Sequence, residues 1–435
     1  MLILSPRAMA RSPFSVRDFR FYWTARVASS IGQVAMVVVI GWQVYDIARL
    51  TMSLKGAALQ LGIVGAVQFV PLFALTLVSG WTADWLDRRM IAGATFALEV
   101  GCAIALGWLS WHGTNTLTAL FLVAAVLGVA RAFSAPALSA LAPNLVPRTI
   151  LPKAIAMSSI AWQIGAVAGP ALGGYLYALA PAMPYAMAAI LFCLALACMV
   201  MIHPAARSPI QGSQQPWAQM IDGLKYVRRN RLVLGAISLD LFAVLLGGAT
   251  AMLPIYARDI LQAGPTGLGH LRAAPAVGAA IIALWFSFSP LKRNVGVKML
   301  AAVIVFGAAT IVFGVSRSMP LSLLCLVLLG AADMLSVYVR HSLIQLHTPD
   351  AMRGRVSAVS TLFISASNEL GEAESGFLAA LIGPVAAIIA GGIGAIAVTL
   401  LWARLFPEIR LARNFNPPDP DPESTTRVAP KETLT

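Results

Sequence analysis

Charge is what this sequence has least of. Asp, Glu, Lys and Arg make up 11% of its 435 residues, less than half of the roughly 25% found in soluble domains. Hydrophobic residues make up 59%, and the mean hydropathy is +0.79. A water-soluble globule is excluded. Cysteine is scarce too. Cys102, Cys193, Cys198 and Cys325 all fall in apolar stretches, where they read as small core or lipid-facing residues and not as a disulfide framework. The five histidines, His112, His203, His270, His341 and His347, show no metal-ligand spacing. That argues against a membrane-embedded metalloenzyme, and neither a metal nor an organic cofactor is expected. No GxxxxGK[ST] run occurs, so a nucleotide-binding P-loop is absent and any active transport must draw on an ion gradient. Between Met1 and Phe14 the apolar run is only four residues, too short for the core of a secretory leader, so the first span is expected to stay uncleaved.

Long apolar runs fill the rest of the chain. Stretches long enough to cross a hydrocarbon core about 30 Å thick recur at about 22–45, 58–83, 90–111, 117–142, 153–179, 184–202, 232–256, 267–289, 297–315, 320–346, 355–382 and 384–406. They are continuously apolar and too long for barrel strands, which predicts helices. The expected fold class is all-α: a polytopic membrane protein with twelve transmembrane helices in two pseudo-symmetric six-helix bundles. Short loops make consecutive helices antiparallel neighbours. The exception carries Pro204, Pro209, Gly212 and Pro216. The chain thus divides into a segment 1–21, a first bundle 22–202, a central loop 203–231, a second bundle 232–406 and a proline-rich tail 407–435 expected to be disordered. Trp217 to Arg231 is expected to form an amphipathic surface helix anchored by Trp217 and Tyr226.

The formal charge of +13 invites a nucleic-acid partner, but the placement of the bases rejects one. About 23 of the 31 Lys and Arg residues lie before the first span, beside every second connection, in the central loop or in the tail. The alternate connections hold only Arg49, Lys55, Arg258 and Arg317. This is the positive-inside asymmetry of an even number of spans, with both termini cytoplasmic and the chain in an inner membrane.

One module is written twice, 202 residues apart. Pro147, Lys153, Gly165, Gly169, Pro170, Gly173 and Gly174 recur as Pro349, Arg355, Ser367, Gly371, Glu372, Ser375 and Gly376. Two similar hydrophobic halves suit a transporter, because they can rock about a shared midplane site. A channel has no need of a repeat with an acid in one half only. On span eleven Thr361, Ser365, Asn368 and Glu372 are spaced i, i+4, i+7, i+11, one narrow stripe at 100° per residue, and Glu369 lies to its side. On span ten Asp333 and Arg340 share a face but stand about 10 Å apart along the axis, so each needs a partner on another helix. A membrane-buried acid can exchange a proton between two sides. Glu372, Asp333, Asp240 and Glu369 are therefore the candidates for proton coupling, and Glu99 is a weaker one that could partner a base. His270 and Arg272, near the outer end of span eight, could simply snorkel to water.

Between spans two and three runs Gly80-Trp-Thr-Ala-Asp84-Trp-Leu-Asp87-Arg88-Arg89. Here glycine permits close approach, and Asp84 with Arg88 and Arg89 can latch one conformation at the rim. In span five, Gly165, Gly169, Pro170, Gly173 and Gly174 form a packing and bending motif. Arg131 lies mid-membrane in span four, where a charge is costly and marks function. Together these three elements resemble the signature motifs of the major facilitator superfamily, and the resemblance covers Phe19 to Pro407. The first motif departs from the usual pattern, with Trp85 where a base is common and Asp87 where glycine is common. Pro143-Asn-Leu-Val-Pro147, Gly330-Ala-Ala-Asp333, Thr348 to Ala358 and Ser367 to Gly376 are similar to the branch of enterobactin-type siderophore exporters.

The resemblance implies a proton-coupled secondary transporter that exports an organic solute such as a siderophore. The alternatives are a broad drug exporter or a metabolite importer of the same fold. The implied substrate-cavity residues are Arg26, Gln33, Arg131, Gln163, Arg340, Ser365 and Asn368. The partners are the bilayer, a small organic substrate and protons, with function as a monomer. Both termini are predicted to lie on the cytoplasmic side, which reporter fusions after Thr435 will test; an outward reporter would overturn the span assignment.

Overall fold

The structure is a computed structural model that describes residues 12–203, 216–289, 291 and 293–415. All regular structure among these residues is helical. The first half contains α1 (Arg17–Thr51), α2 (Leu54–Trp85), α3 (Arg88–Trp111), α4 (Leu117–Leu145), α5 (Leu151–Leu179) and α6 (Met183–Met201). A linking helix α7 (Pro216–Arg229) leads to the second half. That half contains α8 (Arg231–Leu246), the short α9 (Leu253–Ile255), α10 (Gly264–Phe288), α11 (Val295–Val315), α12 (Met319–Leu346), α13 (Asp350–Ile382), α14 (Pro384–Leu405) and the terminal α15 (Pro407–Leu411). Eleven spans among the described residues are long and apolar enough to cross a bilayer, with α8 and α9 forming one span from Arg231 to Ile260. The twelfth, α13, falls short of that standard because Glu369, Glu372 and Glu374 interrupt it, yet it packs among the others against α2 and α8.

Local chemistry sets the helix ends. Ser53 Oγ accepts from the Gly56 N–H at 3.2 Å, Thr116 Oγ1 from Ala119 at 3.2 Å and Asn230 Oδ1 from Val233 at 3.1 Å, each satisfying an orphan donor of a first turn. Proline occupies the first turn of α5, α6, α12 and α14, where its missing N–H costs nothing. Two span assignments change. Span one is longer than its apolar run, because α1 continues to Thr51 and carries Asp46 and Arg49 to partners on the other half. Span seven is not one continuous helix: it breaks at Gly247 and Gly248, passes through a 3-10 turn (Ala249–Met252), and ends in a π turn (Tyr256–Ile260).

The repeated module marks equivalent places in the two halves. In the first half α5 lies on α1 and crosses to α10; in the second, α13 lies on α8 and crosses to α2. Glycine makes both crossings backbone-close. A Cβ at Gly62 would lie 3.0 Å from the Ala373 carbonyl oxygen, and one at Gly376 would land on Gly62. At the other crossing, a Cβ at Gly269 would meet the Pro170 carbonyl oxygen at 2.7 Å, and one at Gly174 would lie 3.1 Å from Gly269 Cα.

These crossings seal one face. Of the five apolar clusters among the described residues, a single one draws on both halves. It joins Trp42, Tyr45 and Leu61 of the first half to Tyr256, Leu268 and Phe313 of the second, on the face opposite the one that carries the termini. Ion pairs reinforce the seal. Arg49 Nε lies 3.2 Å from Asp259, Arg258 Nη1 lies 3.0 Å from Asp46, and the Tyr45 hydroxyl donates to Asp259. Gly376→Val is predicted to wedge α13 off α2 and open this face. Double electron–electron resonance between labels at positions 52 and 262, in a cysteine-free background, should report a longer distance; an unchanged distance would show that the crossing does not limit closure.

Candidate functional site

A cavity of about 820 Å³ lies between the halves, beneath the seal, and extends toward the terminus face. It takes Arg26 and Gln33 from α1, Gln68 from α2, Arg131 from α4, Arg272 from α10, Asp333 from α12, and Asn368 and Glu372 from α13. Backbone breaks and small residues position these groups. Gly247, Gly248 and Thr250, at the interruption of span seven, form part of the wall. A Cβ at Gly248 would lie 2.5 Å from the Gly371 carbonyl oxygen, so this break seats α13 and fixes the adjacent Glu372. On α12, Gly330 packs directly on Pro275 of α10, which brings Asp333, one turn further on, to the cavity wall. The discontinuous span thus lines the cavity, where free backbone groups can contact solute or water.

Four arginines lie deep within the spans: Arg26, Arg131, Arg272 and Arg340. Three of them line the cavity. Arg26 Nε donates to the Ser158 carbonyl at 3.2 Å, and Arg131 Nη1 donates to Gln68 Oε1 at 3.2 Å. Arg272 does not snorkel outward. Its Nη2 lies 3.0 Å from Glu372 Oε1, and its Nη1 donates to the Thr250 carbonyl at 2.7 Å. Glu372, on the polar stripe of α13, is therefore neutralised across the cavity by α10. Formally, the three lining arginines outweigh Asp333 and Glu372, leaving a surplus of positive charge.

Arg340 lies elsewhere. With a side chain 3% exposed, it pairs with Asp240 of α8 inside the second half and does not line the cavity. The partner that Arg340 requires on another helix is thus Asp240. Asp240 and Asp333 flank one small void with Ser336, and Asp333 also reaches the transport cavity. Gln163 bridges the halves, donating to the Ala276 carbonyl at 2.7 Å, and is likewise not among the cavity-lining residues. Gln33 donates to Glu99 Oε1 at 2.6 Å, and Glu99 is fully buried with its second oxygen unpartnered. The expected base partner of Glu99 is thus an amide that itself lines the cavity.

At the rim, Arg88 Nη1 donates to the Ala140 carbonyl at 3.0 Å and Arg89 Nη1 to the Ile202 carbonyl at 2.5 Å, which tie α3 to its neighbours. Arg89 also lies 3.8 Å from Asp87. Gly80, Asp84, Ser365 and Glu369 lie outside the residues whose side chains are described. In α5, Gly165 packs on Ser30, Gly169 on Ile31 and Val34, and Gly173 on Ala35, all of α1, while Gly174 reaches α10. Among the described residues, no group of three or more His, Cys, Asp or Glu residues could hold a metal.

Two helical halves with a charged midplane cavity closed on one face define a secondary transporter of the major facilitator fold. A family model described as transmembrane secretion effector matches residues 8–429, and the chain belongs to that family within the major facilitator superfamily. It is 28% identical over 406 residues to the enterobactin exporter EntS of Shigella boydii serotype 18, covering 92% of this chain and 94% of the relative. The identity and coverage are the same for the enterobactin exporter EntS of an Escherichia coli O81 strain. Among solved structures, a peptide transporter POT superposes with a TM-score of 0.72 at 14% identity, covering 95% of this chain and 100% of that one. A D-xylose-proton symporter superposes with a TM-score of 0.70 at 13% identity, covering 90% and 98%. These two likenesses establish the fold alone.

Breaking the buried pair has a predictable cost. Asp240→Asn leaves the Arg340 charge uncompensated and should cost about 3–5 kcal/mol of stability, read as a lower thermal unfolding midpoint in detergent. Asp240→Leu combined with Arg340→Met should recover most of it. Equal midpoints for Asp240→Asn and wild type would show that the pair carries no such load.

Proposed function

We propose that this protein is a proton-coupled exporter of an organic anion of the siderophore class, set in the inner membrane with both termini in the cytoplasm. The observation that carries this reading is the cavity: three intramembrane arginines line it, and the seal lies on the face away from the termini. Guanidinium groups donate to carboxylate or phenolate oxygens through strong charge-assisted hydrogen bonds, and a solute would load from the cytoplasmic face. The likeness to enterobactin exporters supports the substrate class, and the base asymmetry of the loops supports the orientation.

Two acids divide the coupling work. Glu372 faces the cavity beside Arg272, so a proton is taken up there from the outer side once the solute has left and is given up to the cytoplasm when the next solute binds. Asp333 opens to the cavity while Arg340 is taken up by Asp240; when the cavity excludes water, a proton on Asp333 removes a negative charge that would otherwise be buried. Asp84, with Arg88 and Arg89, is proposed as a rim latch that biases which face is open. Function as a monomer is part of the same reading.

In proteoliposomes given labelled enterobactin and an imposed pH gradient, Asp333→Asn and Glu372→Gln are each predicted to abolish uphill accumulation. Asp333→Asn, which leaves all three cavity arginines in place, should keep substrate binding within about threefold of wild type, since no direct charged contact to the anion is removed. Wild-type accumulation and pH dependence in both variants would exclude coupling through these acids.

A further inference from the structure

A second cavity, of about 1390 Å³, lies on the terminus face outside the transport path. It sits wholly within the second half, between the α7–α8 junction, the α12–α13 turn and α15. Four arginines line it, Arg229, Arg231, Arg353 and Arg413, against one acid, Glu408. Arg231 engages that acid at 2.6 Å and donates to the Leu405 carbonyl at 2.8 Å. Arg229 and Arg413 leave a surplus of positive charge. Arg229 and Arg413 are exposed, and neither has a carboxylate partner among the described residues.

The walls are held in place. Tyr226 donates to the His347 carbonyl at 2.8 Å, and Asn230 caps α8. Thr348 lines the same cavity, is 2% exposed, and has a hydroxyl with no partner. A buried, unpartnered hydroxyl beside a basic cavity marks a missing acceptor. The N-terminus of α13 begins just beyond it, with no side-chain cap at Pro349. Leu346 and Leu411 also line the cavity, at 50% and 67% exposure.

We infer that this cavity binds the phosphodiester headgroup of an anionic membrane lipid. Arg229 and Arg413 pair with the phosphate oxygens, Thr348 donates its hydroxyl, and the acyl chains run along Leu346 and Leu411. Exposed leucines beside a basic site at the ends of membrane helices favour a lipid over a free anion. The bound headgroup joins the end of α7, the α12–α13 turn and the chain just after α15, so it ties these parts of the second half together.

Native mass spectrometry of the purified full chain, with phosphatidylglycerol or phosphatidylethanolamine added, tests the site. Wild type should retain phosphatidylglycerol in preference to phosphatidylethanolamine. Retention should fall about fivefold per arginine removed in R229Q/R413Q and return in R229K/R413K. K225Q/R228Q, which removes the same charge from exposed positions outside the cavity, should bind as wild type. The proposal fails if R229Q/R413Q binds as wild type, if K225Q/R228Q loses as much, or if inorganic phosphate displaces the lipid. Monodisperse elution of every variant separates lost binding from lost folding.

Discussion

Close backbone contact between the two halves is the constraint on which the rest depends. At α2–α13 and α5–α10 the chains approach so nearly that a single added methyl group would collide with the opposite helix. In a membrane no hydrophobic force drives helix to helix, so packing of small residues supplies the association. Both crossings come from the same repeated module, which explains why glycines recur 202 residues apart. They lie on the sealed side, so the halves touch there and part toward the terminus face, and the cavity is the space left between them. Rocking such halves requires contacts that can separate and re-form. Backbone-on-backbone contacts between glycines suit that better than interlocked large side chains, which would have to repack at each turn.

The placement of charge follows from that geometry. A base in the bilayer is costly unless it is paired or wetted, and the four intramembrane arginines follow this rule in two ways. Arg340 is paired inside one half with Asp240, which ties α12 to α8. The other three face the cavity, where solute and water can reach them. Arg272 spans the cavity wall to Glu372, so the charge state of one acid is linked to whatever else Arg272 binds. The outer pairs of Asp46, Arg49, Arg258 and Asp259 join α1 to the end of span seven, so they must break when that face opens.

Much of the fold was legible in the sequence because hydrophobic length and period are local properties. The twelve spans, the short α7 and the stripe carrying Asn368 and Glu372 all came from such signals. Pairings between helices are not local. Nothing in the period of span eight tells whether Arg272 turns to water or to Glu372, and its nearness to the span end favoured the wrong choice. By spacing, Asp333 shared a face with Arg340 and Asp240 stood alone in its span. Only packing shows that Asp240 is bound to Arg340 and Asp333 opens to the cavity. Gln68 carried no signal, because a single amide in an apolar run looks the same whether it faces lipid or solute. The break in span seven did leave a trace, Gly247-Gly248 within an apolar run, a pattern that marks interrupted transporter helices.

Proton-coupled export requires that protons and solute cross in opposite directions in step. Purified protein can be reconstituted with the terminus face outward, a pH-sensitive dye sealed inside and no gradient imposed. Adding enterobactin outside should drive it inward in exchange for protons leaving, so the lumen should become more alkaline at a rate that tracks solute entry. Each pH unit so generated stores about 1.4 kcal/mol per proton, so the alkalinisation should slow as it opposes further exchange. Solute entry with no change in luminal pH, or with acidification, would contradict proton-coupled export.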